Sequence, residues 1–261
     1  VDIVFHAAAL KHVPFCEYNP FEAVSTNVIG TRNVVDAAIN ENVEKFIGIS
    51  TDKAVNPINT MGATKLLSEK IVTSAPIGKS SVKFCCVRFG NVLSSVGSVI
   101  PIFKEQIKNG GPVTITDENM TRFFMSMSEA VHLLLKAAKK TEGGETFILK
   151  MKSLRIKDLA EVMVDLLSQK YSLQPEDIKF EITGVRPGEK LSESLVSREE
   201  IGILNDLDDM FVLRNSLSFD GYHMNKHVVN NTCNVNEYNS SKVVLLTKEE
   251  IKKTLVNQKI I

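Results

Sequence analysis

KFIGISTDKAVNPINTMGATKLLSEKIVTSA, residues 45–75, passes from an apolar stretch through a polar turn into a helical period. Its first six residues have the length and β-branched content of a buried parallel strand. Leu66, Leu67, Lys70 and Ile71 then recur at helical spacing over 61–75, and Pro76 ends the pattern. Strand-type runs flank it on both sides, VDIVFHAA at 1–8 and VKFCCVRF at 82–89. Between the first two strands, 21–40 reads as a helix with Val24, Val28, Thr31, Val35 and Ala38 on one face and Asn40 as its stop. Three strands separated by two helices at this spacing predict right-handed parallel crossovers, hence an α/β fold and half of a doubly wound sheet.

Beyond residue 90 the elements shorten between Gly and Pro clusters such as NGGP at 109–112. This predicts a small α+β lobe with helices at 99–109, 128–140 and 156–170 and strands near 113–116, 145–149 and 178–182. The domain reading is a partial nucleotide-binding domain over 1–95, a mainly substrate-binding lobe over 96–215, then a polar, Asn-rich excursion and a last helix within 216–261. The fold class is the C-terminal part of a Rossmann-type doubly wound sheet with a small substrate lobe. A Rossmann dinucleotide site needs a Gly-rich turn after its first strand, because only glycine lets the backbone approach the pyrophosphate. None of the 14 glycines forms one, and the opening on a core strand leads us to expect a fragment lacking the fold's first strands.

Composition excludes several classes. The 31 basic and 31 acidic residues cancel, so no net field points to nucleic acid. Cys16, Cys85, Cys86 and Cys233 lack metal-site spacing and read as reduced thiols of a cytoplasmic chain. No apolar stretch approaches the roughly 20 residues that span a bilayer. Neither a nucleic-acid partner nor a membrane segment is therefore expected.

Four motifs in fixed order, HAAALKHVPFCEYNPFEAVSTNVIGTRNVVDAA at 6–38, STDKAVNPINTMGATK at 50–65, RFGNVLSSVGSVIPIF at 88–103 and VRPGEKLSESL at 185–195, carry a resemblance. The sequence is similar to the extended short-chain dehydrogenase/reductase superfamily, polysaccharide-biosynthesis group, and within it to inverting UDP-N-acetylglucosamine 4,6-dehydratases. The resemblance spans residues 1 to about 215 and resumes weakly at 237–253. It implies a tightly held NADP or NAD that oxidises the sugar at C4 and is restored when C6 is reduced.

The resemblance also assigns residues. Ala7 and Ala8, small residues after a strand, line the nicotinamide side, and Asn27 hydrogen-bonds there; packing and a tolerated helix Asn are the plainer readings. Lys11 reads either as a substrate contact or as a solvated charge. The retaining dehydratases have Thr-Asp-Glu where this chain has Thr51, Asp52 and Lys53, and the lysine marks the inverting branch. Asp52 is expected to protonate the C6 hydroxyl and Lys53 to remove the C5 proton, against readings as a turn cap and a surface charge. Lys65 holds the nicotinamide ribose. Met61 stands four residues before it, where the family usually has a Tyr base, and a thioether cannot exchange a proton. Either Thr51, the ribose and Lys65 relay the proton, Lys53 serves twice, or the site is inactive. Asn91, Lys104, Arg122, Arg186 and Glu189 are expected at the UDP moiety, arginine being suited to phosphate. His6 and His12 read as structural, and no metal site is expected. A nucleotide-sugar epimerase and a non-catalytic nucleotide-binding protein are the rivals.

Overall fold

The computed structural model describes residues 1–75, 81–93, 95, 97–214 and 236–261. Contacts divide the chain into two units. The first comprises Val1–Phe89, Glu129–Lys150 and Ser194–Tyr238, and the second Gly90–Ser128, Met151–Glu193 and Asn239–Ile261. The chain thus leaves and re-enters each unit, where the sequence reading drew contiguous domains at 1–95 and 96–215. The reason is that later strands complete the first sheet.

That sheet has six strands, β1 (Ile3–His6), β2 (Lys45–Thr51), β3 (Lys83–Phe89), β4 (Glu145–Leu149), β5 (Leu204–Asp206) and β6 (Met210–Arg214), in the order β1-β2-β3-β4-β6-β5. The first four run parallel, with Ile3 opposite Lys45, Lys45 opposite Lys83 and Cys85 opposite Glu145. β6 lies antiparallel to β4, and β5 antiparallel to β6. Because side chains alternate across a strand, neighbouring residues serve opposite faces. Phe46, Phe84 and Cys86 pack with Val35, Ala38 and Val72 of the helices α3 (Gly30–Asn40) and α4 (Thr60–Thr73). Ile47, Cys85 and Val87 pack on the other face with Leu133, Ala137 and Ala138 of α5 (Met127–Lys140). Covering both faces is what makes these strands read as unbroken apolar runs. The α/β fold with a mostly parallel sheet stands as expected.

The predicted helix over 21–40 is interrupted. After α1 (Val13–Tyr18) and α2 (Pro20–Ala23), the chain makes a π-helical turn over Val24–Ile29 before α3 begins. Two hydroxyls account for it: the Asn27 carbonyl accepts from Thr31 Oγ1 at 2.6 Å and from Ser68 Oγ at 2.5 Å. Single π turns of this kind concentrate at functional sites.

In the second unit, strands at Asn91–Val92, Thr121–Met125 and Ser153–Arg155 form one sheet, and Val113–Ile115 pairs with Phe180–Ile182. Helices Val99–Lys108, Ile156–Lys170 and Lys248–Asn257 close around Ile100, Phe103, Leu159, Met163 and Ile251. The strand over 121–125 escaped the sequence reading because all five of its residues are buried, so no alternation marks it. The last helix begins at a capping box made by Thr247 and Glu250. Most of the polar excursion, 215–235 with Cys233, lies outside the described residues.

Candidate functional site

β2 ends at Thr51, and the chain turns at once through a short 3₁₀ helix, Asp52–Ala54, into the loop that leads to α4. The strip therefore stands at the carboxyl end of a parallel strand, the edge at which open α/β sheets take ligands. Asp52 is wholly buried. Its Oδ1 accepts from Thr51 Oγ1 and from Lys53 Nζ, each at 2.9 Å. Its Oδ2 is buried without a hydrogen-bond partner among the described residues. A buried, unsatisfied carboxylate oxygen costs free energy and marks a place where function has overruled stability. Lys53, by contrast, keeps about a quarter of its side chain accessible.

α4 is built to hold this strip. Asn59 caps it by accepting from the Gly62 amide at 2.7 Å. A Cβ on Gly62 would collide with the Lys53 carbonyl oxygen and stand 3.0 Å from Pro57 Cβ. Gly62→Ala is therefore expected to displace residues 53–57 and to cost about 1–3 kcal/mol, the range of core overpacking, as urea unfolding will measure.

Lys65 donates from Nζ to the Ile49 carbonyl at 2.5 Å. Burial pushes its ammonium below the ordinary lysine value, while Cys86 and Glu69 push it upward. Burial also holds the Cys86 thiol well above its ordinary value, hence neutral, so Glu69 is the negative charge that acts there. His6, at 3.0 Å from Thr31 Oγ1, is lowered by burial and then by Lys65. Its place between these groups fits the structural reading.

Ala7 and Ala8 follow β1 and are exposed. The turn after them is clamped by Asn27, whose amide accepts from Leu10 N at 2.7 Å and donates to Leu10 O at 3.0 Å and to Thr64 Oγ1 at 2.9 Å. Asn27 is 1% exposed, so its side chain is spent on shaping the turn. Met61 is buried with Cys16 and Ala23, beside Leu10 and Val13. Here the thioether packs the floor under the same turn. Lys11 lies exposed just beyond it.

The second unit carries the other expected residues. Arg122 is buried and donates to three main-chain carbonyls, Thr121 at 2.8 Å, Leu191 at 3.1 Å and Lys190 at 2.7 Å, with Glu189 at 3.8 Å. Its guanidinium holds the end of the 185–191 loop, a packing duty rather than the open phosphate contact expected. Arg186 is exposed on that loop. Lys104 Nζ donates to the Ile260 carbonyl. Asn91 is half-buried on its short strand, directly after Gly90, where a Cβ would strike Phe123.

Sequence reasoning missed Glu69, Arg88 and Glu200. Arg88 is 1% exposed near the carboxyl end of β3. Its Nε and Nη2 reach the Glu69 carboxylate, the Nε at 3.2 Å, while Nη1 and Nη2 reach Glu200 at 2.9 Å each and Nη1 also reaches Leu195 O at 2.8 Å. The signal was present in VKFCCVRF, since an arginine inside a buried strand demands a buried partner. Among the described residues no acidic, His or Cys cluster could hold a metal ion, and no helix is long and apolar enough to cross a membrane.

The family described as polysaccharide biosynthesis protein matches residues 1–215. The chain belongs to this family. It is thereby a member of the short-chain dehydrogenase/reductase superfamily. Over 98% of its length it is 58% identical to an uncharacterized membrane protein of Methanocaldococcus jannaschii and covers 74% of that protein. It is 43% identical, again over 98% of its length and 74% of the relative's, to a UDP-glucose 4-epimerase of Rickettsia rickettsii. The X-ray structure of Pen from Bacillus thuringiensis superposes with a TM-score of 0.90 at 43% identity, covering all of this chain and 76% of Pen. A dTDP-glucose 4,6-dehydratase of Streptomyces venezuelae, solved with NAD, shares the fold at 18% identity, with a TM-score of 0.63 over 73% of this chain and 63% of that one.

Proposed function

We propose that the full-length protein is a nucleotide-sugar 4,6-dehydratase that acts on UDP-N-acetylglucosamine with inversion at C5. The observation that carries this reading is the Thr51, Asp52, Lys53 arrangement, with one carboxyl oxygen of Asp52 buried and unpartnered and the other held by Thr51 Oγ1 and Lys53 Nζ. Exposed Ala7 and Ala8 and the pinned Lys65 fit the nicotinamide end of NADP or NAD. When bound there, the cofactor supplies the oxidation and the later reduction of the sugar.

The chain's own residues supply the proton steps. With a ketone at C4, the C5 proton is acidified, and the free amine of Lys53 takes it. Asp52, entering as the carboxylic acid, gives its proton to the C6 hydroxyl through Oδ2, and water leaves. The pair ends as ammonium and carboxylate, one proton crossing the 2.9 Å hydrogen bond between them resets it, and the proton that C5 takes up on the face opposite Lys53 comes from solvent. Thr51 fixes Oδ1 throughout, leaving Oδ2 to the substrate. Asn27 and Met61 act indirectly, by shaping the turn on which the sugar's redox partner rests. The family resemblance assigns Arg186, Glu189 and Asn91 to the UDP group. Lys104 adds charge there and Arg122 positions the loop. The enzyme works in the cytoplasm, as a homo-oligomer.

A second reading, 4-epimerisation, is favoured by the rickettsial likeness. The two separate in one experiment, incubation of full-length protein with UDP-N-acetylglucosamine in D₂O followed by NMR. Dehydration gives a 4-keto-6-deoxy sugar with deuterium at C5. A C4 epimer that keeps its C5 proton and its 6-hydroxyl would overturn the proposal. In the same assay Met61→Tyr is expected to leave turnover level or lower, because the added phenol has to enter the apolar cluster of Cys16 and Ala23. A rise of about 10²-fold, the worth of a restored general base, would show that Met61 is merely a lost tyrosine.

A further inference from the structure

The Glu69, Arg88, Glu200 cluster lies inside the first unit and has no part in the reaction above. All five guanidinium N–H groups of Arg88 are engaged, by two carboxylates and the Leu195 carbonyl. Two contacts link the cluster to the strip. Ser50, the residue before Thr51, donates from Oγ to Glu69 Oε2 at 2.6 Å. The segment Ser194–Val196, just before Glu200, packs against the Asp52–Ala54 turn. Glu200 also accepts from the Ser197 amide at 2.9 Å, and neighbouring Glu199 takes a hydrogen bond from Asn56 in the loop after the strip. The segment 194–200 thus meets the Asp52–Ala54 turn through 194–196 and the loop after it through Glu199. Glu69 stands four residues after Lys65 on α4, one turn along the same face.

We infer that Glu69, Arg88 and Glu200 are positioning residues for the dehydratase site, fixing the strand end that presents Thr51 and Asp52 and placing a negative charge one helical turn from Lys65. This rests on the reading of Asp52 and Lys65 given above. Three formal charges of two signs leave the cluster one unit negative, and Lys65 balances it. Other titratable groups facing Lys65 do not serve. Cys86 of β3 is a neutral thiol, His6 of β1 is kept neutral by burial, and the Asp52–Lys53 pair on the turn packed against α4 is internally compensated.

The cluster dictates its own variants. Glu69→Gln or Glu200→Gln leaves one neutral, hydrogen-bonded ion pair with Arg88, so each variant keeps a satisfied core. In full-length protein with ¹³Cε-labelled lysine, the Lys65 signal, assigned by Lys65→Arg, is titrated by NMR. Its midpoint is expected to move to lower pH in Glu69→Gln and less far, in the same direction, in Glu200→Gln. The alkaline limb of the pH–rate profile moves with it. The kcat falls by up to about 10²-fold, the scale of a misplaced reacting group, while KM for the UDP-sugar changes little. An unmoved Lys65 midpoint in folded Glu69→Gln overturns the inference, as does a KM effect without a kcat effect. If wild-type protein does not turn over a UDP-sugar at all, the dehydratase reading fails by itself, and the NMR titration still decides the cluster.

Discussion

Arg88→Met is expected to destabilise the protein by roughly 3–5 kcal/mol at neutral pH, the cost of breaking a buried charge network by removing one partner. Methionine fills much of the volume, so the loss is electrostatic. Burial alone pushes the Glu69 carboxyl up. In the wild type, the charge of Arg88, its hydrogen bonds, that of Ser50, and Lys70 outweigh burial and leave Glu69 below the ordinary value. A carboxyl lowered on folding adds stability above its unfolded pKa and forfeits it as pH falls through the folded value. In the variant only Ser50 and Lys70 still oppose burial, the sign reverses, and stability is gained on acidification. Urea unfolding should therefore find the gap between the two proteins widest near neutrality and narrowing as pH falls, first above about pH 4.5 through the raised carboxyl of the variant and then below it through the lowered carboxyl of the wild type. A gap that is small or independent of pH would mean that Glu69 and Glu200 find other partners.

Asp52→Asn in the full-length enzyme is expected to lower turnover by about 10²–10⁴-fold, the usual worth of a general acid. Stability should not follow. The aspartate is wholly buried and already carries one unpartnered oxygen, while Lys53 keeps access to water, so the amide removes no satisfied buried contact that the fold depends on. The variant is thus expected to melt at the same temperature or higher while losing activity, the trade seen where a site is kept against stability. Parallel thermal melts and NMR assays check both halves. A melting temperature that drops together with turnover would assign Asp52 to the fold and leave the chemistry to other groups.

Some of this protein was decided by its sequence. The strand runs at 1–8, 45–50 and 82–89 and the helical periods at 61–75, 99–109, 128–140 and 156–170 all stand within a few residues of their predicted limits, because repeated apolar spacing dictates which face is buried. The strip 50–53 was placed at the end of its strand for the same reason. What the sequence left open depended on partners far along the chain. The π turn at Asn27 needs the hydroxyl of Ser68, 41 residues away. The environment of Met61 needs Cys16 and Ala23 on other helices. Arg88 meets Glu200 across 112 residues, and β4, β5 and β6 join the first sheet only after the chain has passed through the second unit. Local periodicity is a short-range property and is legible in one dimension. The pairing of a buried charge, the satisfaction of a freed carbonyl and the desolvation of Asp52 and Lys65 arise only where distant segments pack together, so the tertiary structure alone decided them.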